Sequence, residues 1–188
     1  LESVAIASAN DASVAVAEAV GGSYSNFISM MNKKAKELGM ENTNFVNSTG
    51  LPTSNHYSTA YDISIMAREL IKHEKVLEWT STWVDYIELP KRDAMLVNTN
   101  RLINKYDGLD GLKTGHTQEA GFCLTGTAQN NNMRLISVVL DAESESERGE
   151  ITSKLLDYGF NSFKKVIADK TGEKVENIVV PRGKKTVT

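Results

Sequence analysis

The chain has 188 residues, 40% hydrophobic and 24% charged, with 13 Gly and 3 Pro, a composition that excludes disordered and fibrous classes and leaves an ordinary globular protein. A formal net charge of -3 excludes a strongly basic surface, so neither nucleic acid nor an anionic membrane is an expected partner. The single cysteine, Cys123, excludes an intrachain disulfide and a cysteine-based metal cluster, and the length suits one domain with part of a second.

The first apolar residues, Val4, Ile6, Val14, Val16 and Val20, interleave with alanines up to Gly21-Gly22 and predict two short helices hinged near Ser8-Ala9-Asn10-Asp11. The pattern is already amphipathic at Leu1-Glu2-Ser3-Val4, with neither an initiator Met nor an export signal, and the expectation is a fragment of a longer chain. Phe27, Met30, Met31, Ala35 and Leu38 predict a helix over 23–38, closed by Gly39. Residues 45–55, rich in Asn, Ser, Thr, Gly and Pro, predict an ordered loop. A helix capped by Ser58 or Thr59 should then run to about Lys72, with Ile63, Met66, Leu70 and Ile71 inward.

A helical turn over 75–80 and a strand over 83–89 come next. Residues 109–113, 121–128 and 134–140 predict an antiparallel meander with a turn at Asn130-Asn131-Asn132. Over 146–163, Ile151, Leu155, Leu156, Tyr158 and Phe163 form one apolar face opposite Glu147, Arg148, Glu150 and Lys154, predicting a helix that covers the sheet. Residues 164–188 alternate Val and Ile with polar residues around Lys170-Thr171-Gly172 and Pro181-Arg182-Gly183, predicting the beginning of a second, β-rich unit after a domain over 1–163.

Chemistry enters with Ser8-Ala9-Asn10 at the helical hinge and Lys113-Thr114-Gly115 in a strand preceded by Asp110-Gly111-Leu112 and followed by His116-Thr117. The order Ser-x-Asn then Lys-Thr-Gly matches the second and third signatures of the penicillin-recognising serine enzymes. The stretches 45–52, 56–62 and 98–101, together with Ala120-Gly121-Phe122, extend the likeness, and the chain resembles the D-Ala-D-Ala carboxypeptidases from Leu1 to about Phe163. That resemblance implies an α+β, β-lactamase/penicillin-binding-protein-like fold: an incomplete antiparallel sheet flanked by helices.

The family's first signature, Ser-x-x-Lys, places the nucleophile one helical turn from a lysine on the same face. The only such spacing here is Ser162 to Lys165, which follows Lys-Thr-Gly instead of preceding Ser-x-Asn. The expectation is therefore that the nucleophile belongs to an upstream segment and that this chain alone is inactive. Lys170-Thr171-Gly172, flanked by Asp169, Glu173 and Lys174, reads as a solvated turn.

The resemblance implies acyl transfer through a serine ester on a peptidoglycan stem peptide ending in D-Ala-D-Ala, with β-lactam antibiotics as acylating mimics and no cofactor or metal. Ser8 would relay protons, Asn10 would hold the substrate amide, and Lys113 would place positive charge at the oxyanion and carboxylate. Thr114, Gly115 and Arg101 would bind substrate, Arg101 through its carboxylate, and the His116 backbone N–H would form half of an oxyanion hole. An exported location outside the cytoplasmic membrane follows from such a substrate, and the incomplete sheet suggests self-association. The rivals are a β-lactamase, which would need a dedicated deacylating carboxylate such as a Glu-x-x-x-Asn segment not found between the motifs, and a non-catalytic peptidoglycan-binding fragment. His56 and His73 lack metal-ligand spacing, which leaves His56 as a loop hydrogen-bonder and His73 as a helix-end cation.

Overall fold

The computed structural model describes residues 1–88, 90 and 93–166. The β-rich unit expected over 164–188, with its second Lys-Thr-Gly, lies almost wholly outside the described residues.

The hinge expected at Ser8 is present: α1 (Glu2–Ala5) and α2 (Asn10–Gly21) are separate helices. Ser8 itself takes φ 57°, a left-handed conformation uncommon for a residue with a Cβ. Ile6, fully buried, anchors the hinge, and its carbonyl accepts from Thr99 N–H at 3.2 Å. Helix α3 (Tyr24–Glu37) starts at Ser23, whose hydroxyl accepts from Asn26 N–H, and ends before Gly39 at φ 79°.

The following loop is ordered by side chains. Asn47 Oδ1 accepts from Thr49 N–H (3.1 Å) and Gly50 N–H (2.7 Å), Tyr24 OH from Ser48 N–H (3.0 Å), and His56 Nδ1 from Val46 N–H (3.1 Å). The loop role expected of His56 is thus observed, and burial pulls its pKa down, which favours the neutral ring an acceptor needs. Thr59 caps α4 (Ala60–Leu70). Of its expected inner residues, Leu70 is 39% exposed at the last turn; the buried positions are Ala67 and Asp62. Asp62 is buried with its Oδ2 accepting from Asn42 N–H (2.8 Å) and Thr43 Oγ1 (2.7 Å), a pairing that a hydropathy pattern does not detect.

Helix α5 (Glu74–Ser81) precedes β1 (Val84–Ile87), which pairs antiparallel with β2 (Ala94–Val97) as a sheet of its own. The main sheet of the described residues is the expected meander: β3 (Leu109–Thr117), β4 (Gly121–Asn130) and β5 (Met133–Ala142), in the order β3-β4-β5. Asp110 and Arg134 tie its far end by a bidentate ion pair at 2.7 and 2.8 Å. Helix α6 (Glu145–Ser162) crosses β4 and β5, joining the core of Leu109, Ala128 and Leu156 with Leu102, Leu135 and Phe160 around it. A Cβ on Gly159 would stand 2.5 Å from Leu135 Cδ1, so helix and sheet approach closely there. No helix among the described residues is long and apolar enough to cross a membrane.

Candidate active site

Strand β3 alternates its side chains, so Lys113 points to one face and Thr114 to the other side of the strand. Lys113 Nζ donates to Ser8 Oγ at 2.9 Å and to the Thr114 carbonyl at 3.0 Å, joining motifs 105 residues apart in sequence. Burial, with the Arg148 guanidinium nearby, pulls the Lys113 ammonium down to about 8. Asn10, the first residue of α2, borders the same cleft as Ser8, Lys113, Thr114, Gly115 and His116. Its opposite wall is the 47–51 stretch of the ordered loop, tied to α2 because Ser13 Oγ donates to the Ser48 carbonyl at 2.8 Å.

Thr114 Oγ1 lies 2.6 Å from Thr99 Oγ1. Thr99 is held between two buried asparagines that do backbone work. Asn98 Nδ2 donates to the Thr80 and Thr82 carbonyls (3.0 and 2.8 Å), and Asn100 Oδ1 accepts from Leu102 N–H (3.2 Å), opening a 3-10 turn over Arg101–Asn104. Arg101 borders a depression continuous in its lining with Ser8, Thr114 and His116, but not the part that contains Asn10. Its side chain is 68% exposed and Nε pairs with Glu145 Oε1 at 3.3 Å. His116 is exposed and its ring stacks on Phe122, centroids 4.0 Å apart. Thus Ser8, Asn10, Lys113, Thr114, Gly115 and His116 come together, with Arg101 at the margin.

Two contributors escape the sequence reading. Arg148, expected on the solvent face of α6, is 7% exposed. Nη1 reaches the Gly115 and Cys123 carbonyls (3.3 and 3.4 Å), Nη2 reaches Glu145 Oε1 (3.4 Å), and its Cζ lies 5.6 Å from the Phe122 ring centre. Glu145 is the second, joining Arg101 and Arg148 through one oxygen. Helical periodicity could not find them, because carbonyls that pair an arginine are invisible in hydropathy. Cys123, opposite Gly115 in the strand register, is a free thiol bordering the cleft. No group of three or more His, Cys, Asp or Glu side chains among the described residues could hold a metal ion.

Ser162, the serine of the sole Ser-x-x-Lys spacing, ends α6. At about 1.5 Å per residue it lies roughly 21 Å along the axis from Arg148, far from the cleft.

The chain is 49% identical over 185 residues to the D-alanyl-D-alanine carboxypeptidase DacF of Bacillus subtilis, covering 98% of this chain and 48% of that protein. With DacA of Haemophilus influenzae the identity is 36% over 187 residues, 97% of this chain and 46% of that one. The chain therefore spans about half the length of these curated relatives. Among solved structures, penicillin-binding protein D2 of Listeria monocytogenes in its cefotaxime-bound form is 39% identical with a TM-score of 0.77, over 85% of this chain and 64% of that one. The Streptomyces K15 DD-transpeptidase is 29% identical with a TM-score of 0.82, over 86% and 66%. These neighbours place the sheet and its helices in the β-lactamase-like class of penicillin-binding proteins. Since the family profile also matches residues 1–144, the chain belongs to the D-alanyl-D-alanine carboxypeptidase family, peptidase family S11.

Proposed function

We propose that this chain supplies the Ser-x-Asn and Lys-Thr-Gly walls of a serine-type D-Ala-D-Ala carboxypeptidase, which removes the terminal D-alanine of peptidoglycan stem peptides and is acylated by β-lactams. The observation that carries this reading is the 2.9 Å bond from Lys113 Nζ to Ser8 Oγ, which joins the two motifs at one cleft. The serine nucleophile and its lysine would come from a segment beyond these residues, since Ser162 is remote. That serine attacks the penultimate carbonyl, a tetrahedral oxyanion forms, the C–N bond breaks, and D-alanine leaves with a proton. Water then hydrolyses the ester.

In this scheme Ser8, donating and accepting at once, passes the proton to the leaving nitrogen. Asn10 holds the acyl-side amide. Lys113, with Thr114 and Gly115, receives the substrate carboxylate, and Arg101 reaches it by releasing Glu145. The His116 N–H donates to the oxyanion. The site acts outside the cytoplasmic membrane, where peptidoglycan lies. Edge strands of the three-stranded sheet also provide a route to self-association.

The test is exposure to labelled penicillin and to a D-Ala-D-Ala peptide, with this chain alone and with the chain extended by a nucleophile-bearing segment. The expected result is no covalent adduct for the chain alone, and a persistent adduct with D-alanine release for the extended protein. Rapid β-lactam turnover without D-alanine release would establish the β-lactamase instead. An adduct on Ser8 or Ser162 would show the nucleophile to be misassigned. The non-catalytic peptidoglycan-binding reading requires that even the extended protein form no adduct.

A further inference from the structure

Arg148 lies beyond residues 1–144, where the family profile matches, and belongs to none of the three signatures. A guanidinium in a protein interior costs several kcal/mol of desolvation unless its donors are paired. This one is paired with backbone of the site itself: the carbonyls of Gly115 and Cys123, which stand opposite each other across β3 and β4. One nitrogen bridging two carbonyls of a cross-strand pair fixes the spacing of the strands at that rung. The rung lies between Lys113-Thr114 and His116. Phe122, on the neighbouring rung, is held between the guanidinium and the His116 ring. Glu145 orients the guanidinium from the preceding helical turn.

We propose that Arg148 is a positioning residue for the Lys-Thr-Gly strand: its guanidinium clamps the Gly115–Cys123 pair and sets the positive field in which Lys113 sits. The importance of that strand rests on the functional reading above; the clamp rests on the geometry alone. The charged and titratable groups bordering the cleft around Lys113 are Arg148 and Glu145 of α6, Arg101 of the 3-10 turn, Lys105 just after it, His116 of the same strand, Cys123 of β4 and His56 of the loop. Of these, Arg148 is the one that lowers the Lys113 pKa, adding to the larger effect of burial. The two consequences separate chemically. A lysine at 148 keeps the charge but lacks the planar group whose second nitrogen, held by Glu145, aims the first at the two carbonyls, whereas a methionine keeps the bulk and loses both.

The experiment follows the Lys113 side chain by NMR titration in the 188-residue chain labelled at the lysine ε-carbon, with Lys113→Arg assigning the signal, and measures amide exchange in β3 and β4. In Arg148→Met the Lys113 midpoint should rise from about 8 toward the ordinary value near 10.4, and exchange around Gly115 and Cys123 should quicken by roughly tenfold. In Arg148→Lys exchange should quicken similarly while the midpoint stays near that of the parent. Either readout unchanged in Arg148→Met, or a midpoint in Arg148→Lys that moves as far as in Arg148→Met, overturns the proposal. Should Arg148→Met not fold, unchanged exchange in Arg148→Lys overturns it and quickened exchange supports it. None of these readouts needs turnover, so failure of the penicillin test would sink the functional reading and leave this one standing.

Discussion

Lys113 shows what a functional placement costs the fold. Its ammonium titrates near 8 in the folded chain, because burial outweighs the hydrogen bonds to Ser8 and Thr114, against about 10.4 in an unfolded one. Below the folded value both states are protonated and the desolvation penalty is fully present. Between about 8 and about 10.4 the unfolded state binds more protons, so stability rises with pH and the penalty is gone above that window. Urea denaturation across pH 7 to 10.5 should show this rise in the parent chain. Lys113→Met should flatten it and be the more stable protein at pH 7. In the extended enzyme the same substitution should lower kcat/KM by roughly 100- to 1,000-fold, as loss of one preorganised donor does. The parent's kcat/KM should decline as pH passes about 8 and the cation is lost. Asp62 is the opposite case, a buried carboxyl group with two donors on one oxygen. Asp62→Ala strands Asn42 N–H, leaves Thr43 Oγ1 only its contact with Ser58 Oγ, and should cost about 2–3 kcal/mol by denaturant titration.

At the level of elements, α6 serves the site through its first turns and the core through its later ones. Ser144 caps it, accepting from Glu147 N–H at 3.1 Å, while the Glu147 carboxylate accepts from Glu143 N–H at 2.6 Å. Ser144→Ala should cost about 1 kcal/mol, with faster amide exchange confined to the turn that bears Glu145 and Arg148. The turn between β3 and β4 is equally local in cause and wide in effect. Gly121 has φ 61°, and a Cβ there would meet Asp141 Cα at 2.8 Å, a backbone contact that cannot move aside. Gly121→Ala should therefore destabilise by about 2 kcal/mol or more, measurable by thermal melting, and should disturb the adjacent rung, His116 opposite Phe122.

For the whole molecule, the relation between the sheet and the chain's share of its relatives is the governing fact. Three antiparallel strands with α6 across them bury Leu109, Ala128 and Leu156, while Leu140 of β5 is 42% exposed. An edge strand with an accessible apolar residue is a template for pairing. Sedimentation at rising concentration should show the chain alone associating, and Leu140→Lys should reduce that association. An unchanged monomer mass at every concentration would dispose of the proposed self-association.

The sequence by itself determined the local layout. The hinge at Ser8, the meander and the existence of the helix after it followed from periodicity, turn residues and caps, because those signals act over a few residues; the face of that helix did not, since Leu155, Tyr158 and Phe163 of its expected apolar side are exposed. The order Ser8-x-Asn10 before Lys113-Thr114-Gly115, together with the stretches 45–52, 56–62 and 98–101 and Ala120-Gly121-Phe122, was enough to indicate the family. Tertiary structure alone decided what each charge faces. Arg148 reads as one more polar residue on a surface helix until Gly115 and Cys123 bring their carbonyls to it. Asp62 is absent from the inner face that the sequence predicts for α4, and its burial depends on the N–H that Asn42 turns toward it. Pairing energies in the interior depend on distances of about 3 Å between groups remote in sequence, and such distances exist only once the chain has packed.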